Sequence, residues 1–456
     1  MLALTLVIGF MSLLDVTIVN VALPSIQTGL GAGNETVQWI VSGYALAFGL
    51  TLVAGGRLGD ARGRRIMLMI GLIGFIASSA AVGFAPNAEL VVAARLLQGA
   101  AAGLLTPQSS GLIQQLFSGR ERGIAFGWFG TTVSIASATG PVLGGLLIAA
   151  FGEDRGWRTI FLVNVPIGLV ALVLIWFWVP RRRRAADPAE TRLDVVGALL
   201  LGAAVLCVLL PVVQAQSGVS WALAVLVGAP LFGWAFVAWE RRVSAAGRPP
   251  LLDLALLRGT PGYASGIAVG TMYFTGFTGI LLILSLFFQQ AAGLTALQAG
   301  LLVTPWALGG AISSPIAGRL VARIGRMITV YAMLIMMSGI VALTLVLPPT
   351  PGQLRWPLLV LPLFVAGLGG GAVISPNITL SLNDVPPRMG GAAGAALQTG
   401  QRIGSAFGAA LLVTAYHLGS ARFDPAGGLR VALVCSLAVI AVALGLAVWD
   451  VRRRVA

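Results

Sequence analysis

Lysine is absent from this 456-residue chain, histidine occurs once and cysteine twice. Without lysine there is no Walker A motif, hence no self-contained ATP-driven pump of the usual kind, and no Schiff-base chemistry. His417 stands alone near the end of an apolar run, and Cys207 and Cys435 are isolated inside theirs. No catalytic constellation or metal-ligand cluster follows from them, so an intramembrane enzyme is the weakest reading. Charge is also scarce, 10% of the chain, against about 25% in a soluble domain. With 57% hydrophobic residues, the composition is that of a polytopic membrane protein. The net charge of +14 comes entirely from 29 arginines. These sit in short loops between apolar runs, which reads as membrane topology and not as a nucleic-acid footprint. The expected partners are the lipid bilayer, protons and a small amphipathic substrate. No nucleic acid, ATP or cofactor is expected, and the chain should be a monomer.

One carboxylate stands out. Asp15 lies in the middle of the apolar run Leu2–Leu23, the only Asp or Glu well inside a membrane-length stretch. An ionisable group at bilayer depth costs several kcal/mol unless paired, hydrated or protonated, so it marks a functional site by default. A group whose protonation depends on its surroundings is what a proton-coupled machine requires. This run is not expected to be a cleaved leader: it lacks a basic leading segment, contains Asp15 and has no small-x-small site before Pro24. Since it begins almost at Met1, any amino-terminal tail is expected to be absent from this sequence.

At about 20 apolar residues per spanning helix, the chain divides into fourteen predicted spans. The first six centre near Asp15, Leu46, Gly74, Gly99, Ile135 and Leu169. Two more centre near Ala204 and Gly228, and the last six near Thr278, Leu308, Gly339, Gly367, Ser405 and Val439. With a cytoplasmic amino terminus, the cytoplasmic segments hold 22 arginines and the opposite loops five. That bias predicts both termini in the cytoplasm. Gly56–Arg65, after span 2, recurs in register as Gly318–Arg326 after span 10, with Ala322 in place of Asp60. The repeat implies two homologous halves, as in many secondary transporters. The expected fold is all-α: a six-helix bundle over residues 1–180, two inserted spans with their loops over 181–261, and a second six-helix bundle over 262–456.

These motifs resemble the major facilitator superfamily, specifically its fourteen-span drug:proton antiporters. Gly56, Asp60, Gly63, Arg64 and Arg65 match the superfamily's loop signature. Leu14–Pro24 matches the first-span motif, Arg95–Gly99 the fourth-span motif, and Gly140, Pro141, Gly144 and Gly145 the antiporter motif of span 5. Trp157–Gly168 and Phe288–Gln290 also fit the branch. The resemblance implies proton coupling through Asp15 and Arg95. It implies conformational gating by Gly56, Asp60, Arg62, Gly63, Arg64 and Arg65, with Gly318, Arg319 and Arg326 in the second copy, and a leak-sealing role for the antiporter motif. The residues agree where they can be read alone. Arg95, Gln98, Gly99 and Gly103 share one helical face. Asp60 among arginines can act as a movable ion-pair partner. Ala136, Gly140 and Gly144 repeat every four residues, which permits close helix packing, and Pro141 kinks the span.

Substrate contacts are expected at Asn20, Tyr44, Gln98, Tyr273, Phe274, Phe277, Phe288, Gln289, Gln398 and Arg402, because aromatic walls with a few polar groups suit amphipathic ligands. The expected function is proton-coupled antiport that exports small amphipathic drugs or antibiotics from the cytoplasm. Alternative: a proton-coupled lipid or metabolite carrier on the same fold. Arg95 and Arg402 are expected to be buried, and no carboxylate is expected at mid-span in the second half. Neutral, monocationic or acidic lipophilic substrates follow, and poor transport of dications.

Overall fold

The computed structural model describes residues 1–179, 194–214, 224–248, 250–347 and 355–455, and every regular element among them is helical. The first six long helices are α1 Leu2–Leu30, α2 Asn34–Arg62, α3 Arg64–Gly83, α4 Ala88–Leu116, α5 Gly119–Leu162 and α6 Asn164–Trp178. Then come α7 Val195–Gln214 and α8 Gly228–Ala245. The last six are α9 Tyr263–Leu286, α10 Ala296–Ile324, α11 Met327–Val346, α12 Trp356–Ser381, α13 Gly390–Arg422 and α14 Pro425–Val455. Among the described residues, eleven stretches are long and apolar enough to cross a membrane, one of them running through α5 and α6 together. α7 adds a shorter apolar stretch, Val195–Pro211. α8 is more polar than the sequence reading of a span allowed, since Glu240, Arg241 and Arg242 occupy its last turns.

Ile66, Ile70 and Ile73 form a stripe at helical spacing on α3, and each is about half exposed. In water such a face would have to be covered; in hydrocarbon it is the solvent-facing side. With the helical content and the apolar spans, this makes the chain a multi-pass membrane protein.

The chain forms two compact units. One comprises residues 1–116, 143–260 and 384–399; the other comprises 117–142, 261–383 and 400–456. α5 and α13 therefore each contribute to both.

In the first unit, Met11, Phe48, Leu72, Phe75 and Leu105 anchor a core shared by α1 to α4. α2 and α4 approach closely because a side chain on Gly99 or Gly103 would collide with the carbonyls of Tyr44 or Phe48. The Thr51 hydroxyl donates to the Ala100 carbonyl at 3.0 Å and ties the same pair. The second unit repeats this with α10 and α12, where Gly367 and Gly371 lie against the Trp306 and Gly310 backbone. The two copies of the loop motif end their helices alike. Gly63 follows α2 at φ 102° and Gly325 follows α10 at φ 61°, values that glycine adopts without the Cβ penalty.

Candidate functional site

Asp15 is fully buried on α1, with its carboxylate enclosed by donors. Oδ2 accepts from Arg95 Nη1 at 2.6 Å. Oδ1 accepts from Gln98 Nε2 at 2.8 Å and from Asn164 Nδ2 at 2.9 Å. Gln98 Nε2 also donates to Ser79 Oγ at 2.7 Å, and Gln98 Oε1 accepts from Arg95 Nη1 at 2.7 Å. Arg95 Nε donates to the Ile40 carbonyl at 3.1 Å, and its guanidinium lies 4.2 Å from the Tyr44 ring centre. Five helices, α1, α2, α3, α4 and α6, thus meet at one polar knot inside the first unit.

Local sequence explains the convergence. Arg95 and Gln98 stand one helical turn apart on α4, so both reach the same neighbour. Asn164 opens α6, just after α5 ends at Leu162.

Every hydrogen bond made to Asp15 brings a donor to a carboxylate oxygen, so the arrangement fits the ionised acid. A proton on Asp15 would face those donors and leave Arg95 without its counter-ion.

The predicted pair of Asp15 and Arg95 is thus in direct contact, with Gln98 between them. Tyr44 is buried and packs on Arg95. The sequence reading gave no role to Ser79 or Asn164. Ser79 is one of two adjacent serines in an apolar stretch, and Asn164 lies within the Trp157–Gly168 motif, so neither signals a role until the fold shows what it touches.

The loop motif builds a second constellation in the same unit. Asp60 Oδ1 accepts from Arg64 Nη2 at 2.7 Å and from the Gly391 amide at 3.1 Å, and Oδ2 accepts from the Ala392 amide at 2.8 Å. The carboxylate thereby caps the first turn of α13, where free amides and the helix dipole favour an anion. Arg64 Nη2 also donates to the Pro387 carbonyl at 3.1 Å. Gly56 permits this approach, since a Cβ there would lie 2.5 Å from the Gly391 oxygen. Arg62 is exposed. Arg65 donates to the Trp176 and Val179 carbonyls at 2.7 and 3.1 Å and closes the end of α6.

The second copy is built differently. Gly318 packs against the Gly123 backbone, Ala322 and Arg319 are exposed, and Arg326 is buried. Arg326 donates to Asp450 at 2.8 Å and to Asn377 Oδ1 at 2.7 Å, and Ser265 Oγ donates to Asp450 at 2.7 Å. An acid from α14 thus meets the arginine that has no acid one turn before it. Asp450 was not a predicted site residue because it precedes Arg452–Arg454 at a helix end, where an acid reads as solvated. Asp450→Asn should lower the unfolding midpoint in detergent by several degrees, since breaking a buried pair costs about 3–5 kcal/mol. A thermal melt unchanged from wild type would refute this.

The remaining predicted contacts scatter. Tyr273 is buried, with its hydroxyl on the Gly370 carbonyl at 2.8 Å; its ring is stacked on Phe277 at 5.2 Å and meets Phe274 edge-on at 5.3 Å. Phe277 and Trp306 line a recess of about 30 Å³ with Ser134 and Ser137. That volume suits a water and not a drug-sized ligand. Phe288 is fully buried beside Trp356, and Gln289 is exposed and bonded to Ser285. Gln398 donates to Ser110 Oγ at 3.3 Å. Arg402, expected to be buried, is half-buried. Gly140 and Gly144 are buried on α5, while Pro141 and Gly145 are half-buried. The side chain of Asn20 lies outside the described residues.

Comparison with known proteins identifies the scaffold. The family profile described as Major Facilitator Superfamily matches residues 5–409. A "Puromycin resistance protein pur8" of Streptomyces alboniger is 36% identical over 88% of this chain and 78% of its own length. A "Probable actinorhodin transporter" of Streptomyces coelicolor is 35% identical over 91% of this chain and 72% of its own. A "Multidrug resistance protein Stp" of Mycobacterium tuberculosis is 33% identical over 88% and 73%. Among solved structures, the human organic anion transporter MFSD10 superposes with a TM-score of 0.71 over 98% of both chains at 17% identity. The proton:xylose symporter XylE does so with 0.67 over 96% of this chain and 93% of its own at 16%. At such identities the two structures speak for the fold alone. On the family match and these relatives, the chain belongs to the Major Facilitator Superfamily and is a transporter.

Proposed function

We propose that this transporter exports small amphipathic molecules, antibiotics among them, from the cytoplasm in exchange for protons. The relatives' names support the substrate class, as one more than 30% identical is named a puromycin resistance protein and another a probable actinorhodin transporter. The closed knot around Asp15 supports the proton part of the reading, because a proton on this acid would remove the charge that faces Arg95. Two six-span halves with α7 and α8 inserted, both termini in the cytoplasm, would alternate access to a site near the bilayer midplane. In that cycle Asp15 is ionised in the closed knot and protonated once the knot opens outward. Asp60 and Arg64 hold one conformer, and Gly140–Gly145 guard against leak. One charge crossing the membrane supplies about 2.3 kcal/mol per 100 mV, which drives modest accumulation.

The substrate's charge follows from the buried carboxylates. Asp15 is engaged by Arg95, Asp60 by Arg64, and Asp450 by Arg326 and Ser265, while Glu240 lies on the last turns of α8, beyond its apolar part. Phe277, Trp306, Ser134 and Ser137 are neutral. A dication would lack a second anion, so neutral, monocationic and acidic lipophilic compounds are the expected cargo. In everted vesicles energised by respiration, a monovalent lipophilic dye should accumulate at least tenfold more than a divalent quaternary ammonium compound. Equal accumulation of the two would refute the charge rule, and accumulation only in right-side-out vesicles would refute export.

A further inference from the structure

Asp194 and Glu240 carry an arrangement that the transport reading leaves unused. Asp194 stands just before α7, and Glu240 lies on the last turns of α8, beyond its apolar part and next to Arg241. Glu240 is fully buried, and no donor among the described residues reaches its Oε1. Its Oε2 accepts a long bond, 3.4 Å, from the Leu252 amide, and the Leu251 amide also acts on this carboxyl.

Asp194 is the opposite case. Trp239 Nε1 lies 2.9 Å from both of its oxygens, and the Gly197 amide donates to Oδ1 at 2.8 Å. The two carboxyls converge where Gly197 leaves room. A Cβ there would lie 2.5 Å from Asp194 Oδ2 and 2.6 Å from Glu240 Oε1.

We infer that Asp194 and Glu240 form a second proton-binding site, separate from Asp15, in which Glu240 Oε1 carries the proton and donates it to Asp194 Oδ2. Two adjacent carboxylates, one half-buried and one fully buried, cannot both be ionised cheaply, so the pair retains one proton. Asp194 already accepts from Trp239 and Gly197, so the donor-free Oε1 of Glu240 is left to bear the hydrogen. Release of that proton to solvent breaks the Glu240 O–H bond and leaves two facing anions. Repulsion then loosens the junction of α7, α8 and Leu251–Leu252.

No cation intervenes among the described neighbours. Arg241 and Arg242 are exposed, Asp253 bonds the Ala255 amide, and Arg57, on the helix packed against α7, acts on Asp60. Burial, and next the charge on Asp194, push the Glu240 carboxyl up to about 7. The folded chain therefore holds the proton across a range in which the unfolded chain has lost it. Stability is fully retained in acid, falls as pH climbs above the ordinary carboxylate range, and levels off once Glu240 is ionised.

The test uses the full chain in detergent with carbon-13-labelled glutamate, of which there are six residues. One carboxyl signal should titrate near neutrality. It should vanish in Glu240→Gln, move down by at least about one pH unit in Asp194→Asn, and persist in Asp15→Asn. Wild type should lose thermal stability relative to Glu240→Gln as pH is raised from about 5 to about 8. Six glutamates all titrating in the ordinary acidic range, or a neutral transition that survives Glu240→Gln, would overturn the inference. The wild-type titration alone decides the first point, whatever the variants' folding.

Discussion

Asp15→Asn should reduce proton-driven efflux by at least 100-fold while leaving a folded protein that still binds substrate. The amide matches the carboxylate in shape and can still accept from Asn164 or Gln98, but it removes the anion facing Arg95 across 2.6 Å. Leaving a buried charge unpaired costs about 3–5 kcal/mol, so the single variant should also melt earlier. The double variant Asp15→Asn with Arg95→Gln separates the two effects. With both charges gone the stability should largely return, because no buried ion is left unpaired. Coupling should not return, because no group there can carry the proton. Efflux in proteoliposomes under an imposed pH gradient is the measurement. Gradient-dependent efflux by the single variant at the wild-type rate would end the case for Asp15 as the coupling acid.

Asp60→Asn should cut transport at least tenfold and bias the conformational equilibrium rather than coupling. The substitution weakens three contacts at once: the ion pair with Arg64 and the two amide bonds at the start of α13. Loss of the cap costs about 1–2 kcal/mol. The partly buried ion pair contributes more, because Arg64 is left without its counter-ion. A few kcal/mol shifts a two-state population by one to two orders of magnitude, at about 1.4 kcal/mol per tenfold. Ala322 predicts the contrast. It is exposed and caps nothing, so Ala322→Asn should leave transport within twofold of wild type. Labelling of a cysteine placed near Gly391 reports the conformer directly. Unchanged labelling together with wild-type transport in Asp60→Asn would show that the contact holds nothing.

Much of the helical plan was legible because a span leaves a long signature: about 20 apolar residues, punctuated by arginine and glycine. Asp15 and Arg95 were legible for the same reason, as charges in an apolar run must find partners. The partners were not. Asn164 and Ser79 carry no charge and fall on other helices, so only the packing of α1, α3, α4 and α6 reveals that they complete the knot. Tyr44 and Tyr273 read as cavity aromatics because periodicity gives a face and not its neighbour. The structure turns one toward Arg95 and the other toward the Gly370 carbonyl.

The loop repeat divides the same way. The sequence by itself determined a membrane chain with one lone mid-span acid, an intramembrane arginine and two copies of a glycine–arginine turn. Those are properties of composition and spacing, which hold however the helices pack. Tertiary structure alone decided that Asp60 caps α13, that Arg65 closes α6, that Asp450 supplies the acid Arg326 needs, and that Asp194 and Glu240 share one buried corner. Each of these joins residues far apart along the chain. A buried charge selects its partner by proximity and desolvation in the folded state, and neither is written in the order of residues.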